Sequence, residues 1–131
     1  MAGSNLEAHM TDATERAASP EDLTRMFVAR ANAGDADGLA DLYEEDAVMA
    51  YPPGQETVGR AAIREVFAQL LAQVTHFEPE PPLPTVRCGE LALASTRAAD
   101  GTGGRAQVVR RQPDGSWLRV IDRPELPDDA S

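Results

Sequence analysis

Asp122 lies in the run SWLRVIDR, residues 116–123. Strict strand alternation there groups it with Leu118 and Val120 and groups Trp117, Arg119, Ile121 and Arg123 on the opposite face. A carboxyl desolvated among apolar neighbours is in the setting where aspartate becomes a usable acid or base near neutral pH. The alternative is a carboxylate at a strand end, satisfied by a backbone N–H or an arginine. Tyr51 stands just before Pro52-Pro53-Gly54 and offers a neutral phenol that can donate to a developing oxyanion; the alternative is a rim aromatic packed on Pro52. Arg97 in LALASTR and Arg110 in RAQVVRRQ are cations that could pair with Asp122, receive a substrate oxygen, or simply face solvent. His76 follows the longest helical pattern and either covers a pocket mouth or caps the helix C-terminus, where the dipole favours it. Taken together, these groups could do proton-transfer chemistry on an oxygenated small molecule, with Asp122 exchanging the proton and Tyr51 and Arg97 stabilising the oxygen.

Other chemistries find little support. There is no His, Cys and acid cluster at ligand spacing and no glycine-rich phosphate loop after a strand, so neither a metal nor an organic cofactor is expected. The single cysteine, Cys88, has no neighbouring His in TVRCG and reads as a small core residue. It cannot form an internal disulfide, and with no apolar signal region the chain reads as cytoplasmic. Twelve basic against 22 acidic residues give a net charge of −10, which repels nucleic acid and anionic membrane surfaces. Every basic residue is arginine; this could suggest phosphate recognition or reflect biased codon usage, and the arginines form no stripe. No segment approaches the roughly 20 apolar residues of a membrane span.

The elements that must position these groups follow from pattern and caps. The 131 residues suit one domain with one core. Residues 1–9 read as a vector-derived leader, 10–18 as a flexible N-terminus, 19–124 as the domain and 125–131 as a flexible tail. Ser19-Pro20-Glu21-Asp22 is a helix start, Leu23, Met26, Phe27 and Ala31 recur at helical spacing, and Gly34 is a stop. Asp35 caps a short second helix, ADGLADLY, and AVMAY follows as a strand. Residues 60–75 form the clearest helix, with Ile63, Val66, Phe67, Leu70, Leu71 and Val74 in one stripe. EPEPPLP, residues 78–84, is extended or an edge segment, because its prolines lack donors. Three strands, LALASTR, RAQVVRRQ and SWLRVIDR, are joined by the turn sequences AADGTGG and PDG as antiparallel hairpins. The predicted class is α+β, a curved antiparallel sheet over three helices, with a hollow between the concave face and the long helix. Phe27, Met49, Phe67, Leu70, Val120 and His76 are the expected ligand-binding residues there. A homodimer is expected through the outer sheet face, where Trp117, Arg119 and Ile121 would stand.

The stretch FVARANAGDADGLADLYEEDAVMAYPPGQETVGRAAIREVFAQLL resembles the nuclear transport factor 2-like superfamily, in its SnoaL-like and ketosteroid isomerase-like branch. The resemblance is carried by Asn32-Ala33-Gly34-Asp35, Leu42-Tyr43, Asp46-Ala47-Val48, Gly59-Arg60 and Ala62-Ile63, with DGSWLRVIDRP resembling the last hairpin. It covers roughly residues 20 to 124 and implies a conical half-barrel, often dimeric, with an apolar pocket at its open end. In the steroid isomerase branch a carboxylate before a proline removes a proton next to a ketone, and a tyrosine on the first helix holds the enolate oxygen. By this resemblance the first position falls on Tyr51, facing the cavity, and the second on Phe27. A phenol, with an ordinary pKa near about 10, is a poor base, and a phenylalanine donates nothing. Ordinary ketosteroid isomerisation is therefore not expected. What remains is isomerisation, cyclisation or hydration of an apolar oxygenated metabolite of polyketide type; a non-catalytic lipophile-binding domain or a dimerisation module are the alternatives.

Overall fold

The computed structural model describes residues 15–98 and 103–126. The expected leader therefore lies outside the described residues, as do 127–131. Helix α1 (Pro20–Asn32) opens as the sequence predicts: the Ser19 side chain accepts from the Asp22 amide, with Pro20 in the first turn. Gly34, at φ 70, supplies the left-handed conformation that ends it. Asp35 caps α2 (Ala36–Ala40) by accepting from the Gly38 amide at 2.8 Å. This helix is shorter than the ADGLADLY pattern, because Tyr43 already belongs to the next strand.

That strand is β1 (Tyr43–Met49), followed by the two-residue β2 (Thr57–Val58), helix α3 (Arg60–Leu71), and strands β3 (Val86–Cys88), β4 (Leu91–Arg97), β5 (Gly104–Arg111) and β6 (Trp117–Leu126). The six strands form one curled, open sheet in the order β2-β1-β6-β5-β4-β3. The hairpins β4–β5 and β5–β6 are antiparallel as expected. The sheet is mixed rather than wholly antiparallel, because β1 runs parallel to β6. Helix α3 stops at Leu71 instead of residue 75, and Val74 beyond it is exposed. Residues 78–84 do run along the sheet edge: the Leu83 amide donates to the Ser95 carbonyl at 2.9 Å and the Arg97 amide to the Pro81 carbonyl at 3.0 Å.

The core fills the space between helices and concave sheet with Leu23 and Met26 of α1, Leu39 of α2, Ile63 and Phe67 of α3, and Tyr43, Met49, Val109 and Trp117 of the sheet. Ala17 joins it, and its carbonyl accepts from the Trp117 amide at 3.0 Å, so the chain is tied down before Ser19. Cys88 is exposed, against the reading of it as core, since all of β3 lies at an open edge. No helix among the described residues is long and apolar enough to cross a membrane.

One irregularity sets the inward face of β6. Val108 pairs with Ile121 but Val109 with Arg119, so Val120 is an extra residue on β6, a β-bulge. Alternation changes phase there: Trp117 and Arg119 point inward, then Asp122 does. The expected outward face of Trp117, Arg119 and Ile121 is thus corrected. Trp117 is 5% exposed and Arg119 4%, whereas Ile121 is 50% exposed.

Candidate functional site

Between the concave sheet and the helices lies a cavity of ≈ 710 Å³, counting its open mouth. Its helical wall is Thr24, Phe27 and Val28 of α1 with Phe67 and Leu70 of α3. Phe77, Glu78 and Glu80 form a strap along one side. The sheet contributes Thr96 from β4, Arg105 and Gln107 from β5, and Arg119, Asp122 and Pro124 from β6. All three phenylalanines of the chain line this one space. Helical spacing explains the α1 trio, and Phe67 and Leu70 sit one turn apart on α3.

The cavity ends in buried polar groups. Asp122, 3% exposed, accepts at Oδ2 from the Tyr43 hydroxyl and at Oδ1 from Gln107 Nε2 at 3.1 Å. The Arg119 guanidinium donates through Nη1 to the Tyr43 oxygen at 3.2 Å and lies 4.0 Å from Asp122 Oδ2. Phe27 and Tyr43 carry the guanidinium near their rings, at 4.9 and 5.6 Å from the centroids. The bulge makes this possible: residues three apart on a regular strand face opposite ways, yet Arg119 and Asp122 share the floor. Burial, and then the negative charge of Asp122, push the Tyr43 hydroxyl well above its ordinary pKa, so it is a neutral donor. Burial works against the Arg119 charge, but Tyr43 and Asp122 outweigh it and raise its pKa, so it stays a cation. Among the described residues, Arg119 Nε is the buried side-chain polar atom without a partner.

The strap is fastened at both ends. Asn32 holds Phe77 by a two-way bond, Nδ2 to the carbonyl at 3.0 Å and the Phe77 amide to Oδ1 at 2.7 Å. Glu80 accepts at Oε1 from Thr96 Oγ1 at 2.8 Å and from Arg105 Nε at 3.0 Å.

Of the residues singled out in the sequence, Asp122, Phe27, Phe67 and Leu70 meet at this cavity. Met49, 2% exposed, is core instead. Val120, at the bulge, is half-buried and is not a lining residue. His76 is exposed and pairs with Glu78. Arg97 is exposed, because the inward side chains of β4 are Ala92, Ala94 and Thr96. Arg110 pairs with Glu44 at 3.0 Å rather than with Asp122. Tyr51 lies two residues beyond the end of β1, 38% exposed, and is not among the lining residues; the turn at Pro52-Pro53-Gly54 carries it away before alternation can apply. Sequence reading missed Arg119, Gln107 and Tyr43 as site residues. The available signal was a glutamine between apolar residues in RAQVV, and two opposite charges three apart in a strand whose other members are mostly apolar.

The profile of the SnoaL-like domain matches residues 24–126. Among solved structures, an NTF2-like protein with a cystatin-like fold from Novosphingobium aromaticivorans aligns at TM-score 0.62 and 24% identity over 84% of this chain and 80% of that one. A ketosteroid isomerase-like protein from Erwinia carotovora atroseptica gives TM-score 0.61 and 19% identity over 79% and 89%. A Catenulispora acidiphila protein solved in complex with S-DNPA gives 0.62 and 16% over 79% and 89%. At these identities the likeness is one of fold. The profile match, spanning every element from α1 to β6, is the stronger finding: the chain belongs to the SnoaL-like domain family.

Proposed function

We propose that this protein binds an apolar, oxygenated small molecule of polyketide type in the phenylalanine-lined cavity, and that Asp122 exchanges a proton with it without a cofactor. The observation that carries the reading is a carboxylate, an arginine and a glutamine side by side at the end of an otherwise mainly apolar space. Asp122 takes a proton from the ligand and returns it at another position, while Arg119 stabilises the negative charge that develops on oxygen. The outcome is an isomerisation or an internal cyclisation. Arg119 takes the place that the sequence suggested for Tyr51 and Arg97. Ordinary ketosteroid isomerisation fits poorly, since Phe27 has no hydroxyl and Tyr51 lies off the cavity.

Deuterium incorporation into a panel of cyclic and polycyclic ketones in D2O, followed by mass spectrometry, tests this. Wild type should exchange faster than buffer, and Asp122→Asn should abolish the exchange with circular dichroism unchanged. Asp122→Asn exchanging as fast as wild type would remove the role given to Asp122. One observation favours a second reading, a carrier or sensor of a lipophile: both Asp122 oxygens already accept bonds from Tyr43 and Gln107. Ligand-dependent thermal stabilisation with no exchange in wild type would select it.

We also propose a homodimer through the outer sheet face. The pairing register lines up Val86, Leu93, Val108, Ile121, Val48 and Val58 in one apolar row across all six strands. Val86 and Val58 are each 62% exposed and Leu93 44%, more than isolated surface apolars would need. The single cysteine suits a reducing compartment, and we assign the protein to the cytoplasm.

A further inference from the structure

We infer that the polar head of the ligand is a neutral group presenting an N–H and a C=O side by side on one edge, as in a lactam or a primary carboxamide. The inference rests on the pocket reading above and adds to it the chemistry of the head group.

It follows from what the cavity floor has already used and what it has left. An ionised carboxylate offers about four lone-pair sites, and Asp122 accepts two bonds, from Tyr43 and Gln107. Capacity to accept therefore remains. Tyr43 has one hydrogen and gives it to Asp122, so it cannot serve the ligand. Arg119, by contrast, is 4% exposed, lines the cavity and keeps Nε without an acceptor among the described residues. A buried, charged donor left unmet is costly, and an acceptor on a ligand would relieve it. Phe27, half-buried, lies over this guanidinium at 4.9 Å and forms the cavity wall beside it. The floor thus has one unmet donor, Arg119 Nε, and one acceptor with capacity left, Asp122, on side chains that approach each other to 4.0 Å through Arg119 Nη1 and Asp122 Oδ2. A group whose N–H and C=O lie on one edge matches both at once. An isolated ketone matches only the arginine.

Charge argues for a neutral head. Asp122 stands beside Arg119, and Glu80 is paired with Arg105 at 3.0 Å, so each buried or half-buried carboxylate of the cavity has its own cation. An anionic head meets Asp122, and a cationic head meets Arg119. The rest of the ligand meets Phe27, Phe67, Phe77 and Leu70, which suits a flat ring system.

Four probes of one ring size separate the possibilities by calorimetry and thermal shift: 2-quinolinone, with N–H beside C=O; N-methyl-2-quinolinone, with the C=O alone; 2-naphthoate, an anion; and naphthalene. For the wild-type protein, 2-quinolinone should bind about tenfold or more tighter than its N-methyl analogue, the loss expected for one bond to a charged partner. Asp122→Asn should shrink that ratio to below about threefold, because the amide is a weaker acceptor than the carboxylate. Equal or reversed affinities for the two quinolinones, tightest binding of 2-naphthoate, or a ratio that Asp122→Asn leaves intact would each overturn the head-group assignment while leaving the pocket standing. Failure of all four probes to bind at millimolar concentration would overturn the pocket reading itself, and this inference with it. The wild-type comparison decides even if the variant does not fold.

Discussion

Replacing Tyr43 by phenylalanine removes one oxygen from the centre of the site and tests how the floor is held. Tyr43 is 0% exposed, so no water can take the place of the lost hydroxyl without opening the core. The change deletes the bond donated to Asp122 Oδ2 and leaves Arg119 Nη1 without the acceptor it has at 3.2 Å. Each loss leaves a buried charged group short of one partner, and the ring itself still packs tilted against Phe67 at 5.8 Å. The expected cost is roughly 2–4 kcal/mol. For a domain of this size that corresponds to a fall in Tm of roughly 8–16 °C. Urea unfolding at neutral pH measures it directly. The alkaline limb gives a second signature. The folded-state pKa of Tyr43 is raised, so the folded protein keeps a proton that the unfolded chain releases above about pH 10. Wild type should therefore lose stability as pH rises from about 10 toward that raised value, and Tyr43→Phe should lose less. A cost below about 0.5 kcal/mol, or identical alkaline limbs in the two proteins, would refute the account of Tyr43 as the bridge between Asp122 and Arg119.

Gly104→Ala should destabilise by roughly 1–3 kcal/mol with an unchanged urea m-value, because the new Cβ would stand 2.3 Å from the Thr96 carbonyl oxygen and the backbone must shift. Wild type is expected to be a dimer by light scattering, and Ile121→Glu, in the centre of the outer apolar row, should give a folded monomer; a wild type that is monomeric at micromolar concentration would remove the proposed interface. Tyr51→Phe should change 2-quinolinone affinity less than about twofold, since its side chain stands off the cavity; a tenfold loss would bring Tyr51 back into the site.

The parts of the fold that local rules govern were legible. Ser19 and Asp35 cap their helices through side-chain oxygens, and the Ile63, Val66, Phe67, Leu70 stripe of α3 faces the core or the cavity. The two hairpins follow from glycine and proline at their turns. Asp122 lines the cavity as its sequence setting suggests, but beside Arg119, Gln107 and Tyr43 rather than Leu118 and Val120. Alternation by two assigned Arg119 to the outside, because nothing in SWLRVIDR announces that Val120 is extra; the bulge depends on pairing with β5 and β1, which sequence spacing does not encode. Tyr43 was hidden differently. It continues the apolar spacing of ADGLADLY, and only its pairing opposite Arg119 makes it the first residue of a strand. Tyr51 failed for a related reason: AVMAY reads as alternating to its last residue, but the ladder ends at Met49.

The parallel pairing of β1 with β6 orders events in the life of the chain. The first strand to be made cannot acquire its parallel neighbour until the last has been made, and Tyr43 meets Asp122 across 79 residues and Arg119 across 76. Contacts of such long span close slowly, since the intervening chain must be ordered before they stabilise anything. During synthesis, β1 and the helices emerge with one flank of β1 uncovered, and that exposed flank is an aggregation hazard until β6 leaves the ribosome. The polar floor is then assembled last, by the same strand that completes the sheet. A chain cut short before Trp117 would lack Arg119 and Asp122 together with the strand that covers β1. The cavity floor and the sheet are completed by one and the same strand.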